Sequence, residues 1–200
     1  MSEITDYWDQ QWHTVCENKE FEEYSQSIPQ DFLQVITSPR ETLTVIKNAK
    51  TIFDFGSGTG CLCHVLSLLN WSVFTGKEIS SYVVDYANNK YGNGRVNYTL
   101  KELDQDYDLI VTSNTLEHFE NPHILISEFI KRCKYLLILV PFKGDISNQT
   151  QEGGGAGHVY SFSLNDFYAY NIIESYIFTS RGWTEGKNPL QLVVLIKGEL

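Results

Sequence analysis

Residues 51–66 read TIFDFGSGTGCLCHVL. A β-branched and aromatic run ends at Asp54, three glycines alternate at Gly56, Gly58 and Gly60, and apolar residues then recur at helical spacing at Leu62, Val65, Leu66 and Leu69. A strand, a glycine turn and a helix in that order make the nucleotide-binding unit of doubly wound folds, whose ligands sit outside the carboxyl ends of the strands. The helix predicted from about Thr59 aims its free N–H groups into that crevice. Glycine admits positive φ, and its missing Cβ lets something lie directly against the main chain.

The rest of the chain repeats the alternation. Apolar, β-rich runs at 50–55, 72–77, 95–99, 108–113 and 135–141 read as strands. Between them, Ser80 or Ser81 caps a helix to about Tyr91. Leu125, Ile126, Phe129, Ile130 and Cys133 mark a second helix, started by Asn121 as N-cap and Pro122 in the first turn. Strands alternating with helices imply an α/β fold, a doubly wound parallel sheet covered on both faces. Past residue 141 the pattern changes. KGDISNQTQEGGGAGH has no period and reads as a mobile loop. A short helix near 163–171 follows, and strands near 174–180 and 190–197, joined through RGWTEGKNP, form an antiparallel pair at one edge. The expected organisation is one domain over 1–200. It divides into a helical cap over 1–48 with a break near SPR, a ligand-binding core over 49–142, and an acceptor loop with an edge hairpin over 143–200.

Composition bounds the function. A formal net charge of −10 disfavours binding to a phosphate backbone. The trio Lys131, Arg132 and Lys134 reads as a solvated helix end whose cations offset the dipole. Cys16, Cys61, Cys63 and Cys133 form no CxxC pair, so neither a zinc ribbon nor a thioredoxin-like motif is encoded, and Cys61 and Cys63 read as buried small hydrophobes. No signal-like segment and no long apolar run is present, so a cytoplasmic protein without a membrane span is expected. Nothing in the sequence sets the oligomeric state.

Three ligands compete for the glycine loop. A P-loop needs a G-K-[S/T] ending, and residues 56–62 contain no lysine. A dinucleotide fingerprint needs a small residue where Cys61 stands, which disfavours a nicotinamide oxidoreductase. The spacing is GxGxG, with an acid at Asp54 that would repel a pyrophosphate and suits a cationic, amine-bearing ligand. A second acid, Glu78, ends the strand SVFTGKE, where a carboxylate can accept from both ribose hydroxyls. A ligand with a ribose, an amine and no phosphate fits S-adenosylmethionine.

At these residues the chain resembles the class I S-adenosylmethionine-dependent methyltransferases. FDFGSGTG is similar to the family's first motif, and GKEISSYVVDYANNKYG to its second-strand acid and following helix. DYDLIVTSNTLEHFENPHILISEF resembles its fourth strand and "LEH…P" segment, LLILVPF its fifth strand, and GHVYSFSLNDF the histidine and serine that open a later helix. The aromatic opening YWDQQW also occurs in small members. The resemblance implies a seven-stranded sheet in the order 3-2-1-4-5-7-6 with the last strand antiparallel. It implies S-adenosylmethionine as cofactor, with Gly56, Ser57, Gly58 and Gly60 along its amino-acid end, Asp54 toward its ammonium and Glu78 on its ribose. Ile79, Leu100 and Asn114 complete the expected cofactor contacts; of Thr99, Leu100, Lys101 and Glu102, spacing does not choose the adenine neighbour.

The expected activity is methyl transfer to a small-molecule acceptor, with oxygen as the expected acceptor atom. Asn114, Glu117 and His118 follow the fourth strand, and His158 follows the glycine-rich loop. Either histidine could take the acceptor's proton near neutral pH. Their alternative roles are packing at a strand end for His118 and positioning of the loop for His158. Some family members, including small-RNA 3′-end methyltransferases, hold a divalent metal with E-x-x-E-H and a later histidine. Here Asn114 replaces the first acid, which weakens a hard-cation site, so no metal ligand is expected. Tyr7, Trp8 and Trp12 lie at helical spacing and suit either a lid over an apolar acceptor or plain packing. A cofactor-binding protein that acts through a partner without turnover stays open as a different class.

Overall fold

The computed structural model describes residues 3–17, 33, 40–143, 157–180 and 190–200. Seven strands form one sheet: β1 (Thr51–Phe55), β2 (Val73–Lys77), β3 (Val96–Thr99), β4 (Tyr107–Ser113), β5 (Cys133–Pro141), β6 (Ile172–Thr179) and β7 (Leu190–Lys197). Their order is β3-β2-β1-β4-β5-β7-β6. β1 through β5 pair in parallel, while β7 runs antiparallel to both β5 and β6. This is the expected doubly wound architecture, with every expected strand within two residues of its place.

The side-chain period explains why the central strands read as unbroken apolar runs. Ile52, Leu109, Val111, Leu137, Leu139, Val193 and Leu195 join one buried cluster with Ile46, Leu66, Phe74 and Val84. Their alternates Phe53, Ile110, Leu136, Ile138, Val194 and Ile196 join a second cluster with Phe129, Phe162 and Phe167. A strand covered on both faces needs apolar residues at every position, because successive side chains point opposite ways. β6 lies at the edge and alternates half-buried with exposed.

Among the described residues the helices that accompany the sheet include α1 (Glu3–Glu17), α2 (Glu41–Asn48), α3 (Cys61–Leu69), α4 (Ser81–Tyr91) and α5 (Pro122–Ile130). Ser80 caps α4, its hydroxyl accepting from the Val83 N–H at 3.3 Å. Asn121 makes no side-chain cap to α5, so Pro122 alone marks that start. The helix after the glycine loop begins at Cys61 rather than Thr59, because Gly60 takes a left-handed φ of +83°. The expected helix at 163–171 is only a 3-10 turn, Leu164–Phe167. Ser163 and Asp166 form its capping box, but the chain then turns to feed β6. α1 crosses α4, where the Ser80 hydroxyl meets Asp9 and His13 stacks on Tyr82 at 3.6 Å between ring centroids. α2 is tied to the far edge: the Thr42 N–H and hydroxyl donate to Glu174 at 3.0 and 2.7 Å, and Arg40 lies over the Tyr176 ring. The break near SPR, most of the 143–158 loop and the RGWTEGKNP connection fall outside the described residues.

Candidate active site at the carboxyl ends of the strands

The glycine loop joins β1 to α3 with φ of +79° at Gly56 and +50° at Gly58. The close approach that such a loop implies is partly to the chain's own side chains. A Cβ on Gly56 would lie 2.2 Å from the Thr115 hydroxyl, one on Gly60 2.6 Å from the Tyr98 ring, and one on Gly58 3.0 Å from the Trp12 ring. The Tyr98 hydroxyl donates to the Gly60 carbonyl at 2.6 Å. Trp12, for which the sequence leaves a lid and plain packing open, therefore lies on the glycine loop itself.

Backbone bonds hold the loop against β2. The N–H groups of Gly56 and Ser57 both donate to the Lys77 carbonyl, at 2.9 and 3.0 Å. Glu78 is buried, and its two oxygens accept from the N–H groups of Gly58 at 2.9 Å and Ile79 at 2.7 Å. Burial raises its carboxyl above the ordinary range, and these two N–H donors oppose that rise. The Ser80 N–H also donates to this carboxylate, so three of its roughly four acceptor sites are taken and one is left for a ligand hydroxyl. Asp54 is 1% exposed. Its Oδ2 accepts from the Cys63 thiol at 3.4 Å, and its Oδ1 has no partner among the described residues. Burial lifts the Asp54 carboxyl to about 7, opposed by the Cys63 bond and aided by the charge of Glu78. Ser57 Oγ, Asn114 Oδ1 and the Trp12 indole N–H are likewise buried without a partner among the described residues. Buried polar atoms are nearly always bonded, so these donors and acceptors around one loop could take the polar groups of a ligand. Acceptors at Asp54 and Asn114 with donors at Ser57 and Trp12 suit the zwitterionic end of S-adenosylmethionine. Leu100 follows β3 and is 49% exposed.

Beside the loop, β4 ends at Ser113, Asn114 adopts a positive φ of +50°, and a 3-10 turn spans Leu116–His118. Glu117 is 1% exposed. Neither of its carboxylate oxygens finds a hydrogen-bond partner among the described residues, and burial pushes the carboxyl up to about 8. The Glu117 carbonyl accepts from the N–H groups of Val159 and Tyr160 at 2.9 and 3.0 Å, which brings the 157–160 segment across the turn. His118 Nδ1 faces the Gly157 carbonyl at 3.3 Å. His158 Nε2 lies 4.0 Å from Glu117 Oε1, and the two histidine rings stand 5.2 Å apart. One ligand atom from each of Glu117, His118 and His158 falls within 4.8 Å of the others. Burial, with a smaller effect of the neighbouring His158, pushes His118 down to about 4; burial also lowers His158. Trp8 meets His118 edge-on at 5.4 Å.

The structure thus brings the two predicted histidines together across 40 residues, and places Asp54, Ser57, Glu78 and Asn114 around the adjacent loop. The sequence did not reveal the positions of Trp12, Tyr98 and Thr115 against the glycines, because those contacts exist only after distant segments pack. A family model described as "Methyltransferase domain" matches residues 21–169. The chain belongs to the class I S-adenosylmethionine-dependent methyltransferases.

Among solved structures, this methyltransferase is similar to magnesium protoporphyrin IX methyltransferase from Synechocystis PCC 6803 with bound SAH, at a TM-score of 0.69 and 15% identity over 98% of each chain. It is also similar to a protein assigned as a methyltransferase from Haloferax volcanii, in complex with the Trm112 methyltransferase activator, at a TM-score of 0.73 and 11% identity over 95% of this chain and 98% of that one. A protein assigned as an RNA methyltransferase from Pyrococcus horikoshii matches at a TM-score of 0.59 and 11% identity, over 86% and 84% of the chains. No curated protein matches the sequence. Among the described residues, no helix of the methyltransferase is long and apolar enough to cross a membrane.

Proposed function

We propose that the chain methylates an oxygen of a small-molecule acceptor, using His118 or His158 as the base. The observation that carries this reading is the convergence of two imidazoles, both biased by burial toward the neutral form, beside the loop that suits the cofactor. S-adenosylmethionine supplies a methyl group on a sulfonium. Asp54 and Asn114 would accept from its ammonium, and Ser57 and Trp12 would donate to its carboxylate. Glu78 would accept from a ribose hydroxyl, while Gly56, Gly58, Gly60, Ile79 and Leu100 line its length. His118 or His158 would take the acceptor's hydroxyl proton as the carbon–oxygen bond forms and the methyl carbon–sulfur bond breaks, leaving a neutral thioether, and alignment of donor carbon and acceptor would supply most of the rate. Trp8, edge-on to His118, borders the acceptor side with an apolar wall. The test is transfer of labelled methyl from S-adenosylmethionine into a metabolite extract. Transfer that persists unchanged in both His118→Ala and His158→Ala overturns the base assignment. Tight cofactor binding with no transfer to any pool favours the non-catalytic partner instead.

One observation favours a second reading. Among the described residues neither buried oxygen of Glu117 has a hydrogen-bond partner, and His118 turns Nδ1 to a backbone carbonyl, so that Nε2 is the ring nitrogen left to serve as a ligand. A carboxylate and two imidazoles with such outer support suit a divalent cation. Glu117, His118 and His158 would hold it, with Asn114 standing where the metal-using relatives carry an acid. Such an ion would polarise the acceptor oxygen, and an RNA 3′ end becomes a candidate acceptor despite the charge of −10. Transfer that is unchanged after chelation removes this reading.

A further inference from the structure

A third polar cluster lies beside the crevice, where the first turn of α5 meets the segment leading to β6. His123 places Nδ1 2.9 Å from the Tyr170 hydroxyl and Nε2 3.0 Å from the Tyr160 hydroxyl. The Tyr160 hydroxyl donates to Asp166 Oδ1 at 2.7 Å. The other Asp166 oxygen accepts from the Ser163 N–H and the Ser163 hydroxyl, both at 2.8 Å. A carboxylate only accepts, so the single proton of Tyr160 points to Asp166 and the N–H at His123 Nε2 must point to Tyr160. Burial acts to raise the Asp166 carboxyl, yet the Tyr160 and Ser163 donors outweigh it and hold the group below the ordinary range. The chain of bonds therefore has a defined direction from α5 to the capping box.

Its position gives it a task. Tyr160 stands two residues after His158, in the segment whose backbone is tied to Glu117 through Val159 and Tyr160 and to His118 through Gly157. One side of residues 157–160 is thus fixed by backbone bonds to the 116–118 turn. The other side is fixed by the Tyr160 side chain to α5. Apolar contacts alone would let such a segment slide, whereas hydrogen bonds of fixed length and direction set its register.

We propose that His123, acting through Tyr160 and Asp166, is a positioning residue that holds His158 in register with Glu117 and His118. The inference rests on the reading that His158 serves the transfer, and it names what keeps that ring in place. A displacement of about 1 Å at a reacting group costs on the order of a hundredfold in rate.

The test uses the full chain labelled with 15N-histidine, S-adenosylmethionine as the ligand and the metabolite extract as acceptor. His123→Leu is expected to shift or broaden the ring signals of His158 and to lower label transfer on the order of a hundredfold, with S-adenosylmethionine affinity within about twofold of the parent. His123→Gln, whose amide N–H can reach Tyr160, is expected to restore most of both. Val193→Ala, which trims a buried side chain of β7, is the stability control and should leave the His158 signals in place. Parent-like His158 signals in His123→Leu overturn the proposal, as does Gln performing no better than Leu, or Val193→Ala moving the signals equally. If the signals respond as expected while even the parent transfers no label, the positioning role stands and the task given to His158 falls.

Discussion

The glycine loop and the histidine cluster lie side by side at the carboxyl ends of the strands, but they are held in opposite ways. The loop's backbone ties run mainly to the next strand: Gly56, Ser57 and Gly58 bond to Lys77 and Glu78 at the neighbouring strand end, with side chains of Tyr98, Thr115 and Trp12 packed on it from further away. Those ties use backbone groups and one carboxylate, and they exist as soon as β1 and β2 pair. The cluster instead draws Trp8 from α1, Glu117 and His118 from the turn after β4, and His158 from a segment 40 residues further on. Binding geometry is built locally, and reaction geometry is assembled from distant parts. Substitutions in the two regions should therefore separate affinity from rate.

The largest effect should come from the cluster. His118→Ala or His158→Ala is expected to lower label transfer by about 10²- to 10⁴-fold, the range of general base catalysis. Cofactor affinity measured by calorimetry should stay within about twofold. A matching loss of affinity would mean that the two regions are one unit, which breaks the contrast. Next in size, Glu78→Ala removes the acceptor for Gly58 and Ile79 and the one offered to the ribose. It should weaken S-adenosylmethionine on the order of a hundredfold, since bonds to charged groups contribute about 1.5–3 kcal/mol each. A parent-like isotherm for that variant would remove the proposed cofactor site.

These contrasts track what was legible in the sequence. The strands were legible because Ile52/Phe53, Ile110/Val111 and Leu136/Leu137 alternate between two buried faces, and a doubly covered strand has to be apolar throughout. Asp54 and Glu78 were legible because spacing from the glycines fixes a strand tip. The segment 163–171 was misread because Ser163 and Asp166 write a helix start that the chain abandons after one turn. The missing cap at Asn121 and the seat of Trp12 on Gly58 depend on tertiary packing, which overrides local preference. Glu117 was legible as an acid after the fourth strand, beside Asn114 and His118. Its burial follows only once residues 157–160 cross the turn.

A smaller effect concerns pH. Asp54 titrates near 7 in the folded protein, against an ordinary 3.8, with burial as the main cause. A protonated Asp54 accepts poorly from an ammonium, so affinity for S-adenosylmethionine should tighten about tenfold between pH 6 and pH 8. Asp54→Asn should flatten that slope. The same group acts oppositely on stability. Its folded value is raised, so the unfolded chain releases the proton first, and this contribution to stability declines as pH rises from about 4 to about 7. Across that window the denaturant midpoint of the parent should therefore fall relative to that of Asp54→Asn, while its affinity for S-adenosylmethionine rises relative to that variant's.

The smallest expected effect tests where the local region ends. Trp12 belongs to α1, yet its ring lies 3.0 Å from where a Gly58 Cβ would stand, and its indole N–H is buried without a partner among the described residues. If that N–H serves the cofactor's carboxylate, Trp12→Phe keeps the apolar cover and loses one donor. The cost should be about 1 kcal/mol, roughly a fivefold weaker affinity, with label transfer at saturating cofactor unchanged. A rate effect in place of an affinity effect would assign Trp12 with Trp8 to the acceptor side. The division between a locally built binding site and a distantly assembled reaction site would then run through Gly58 rather than through α1.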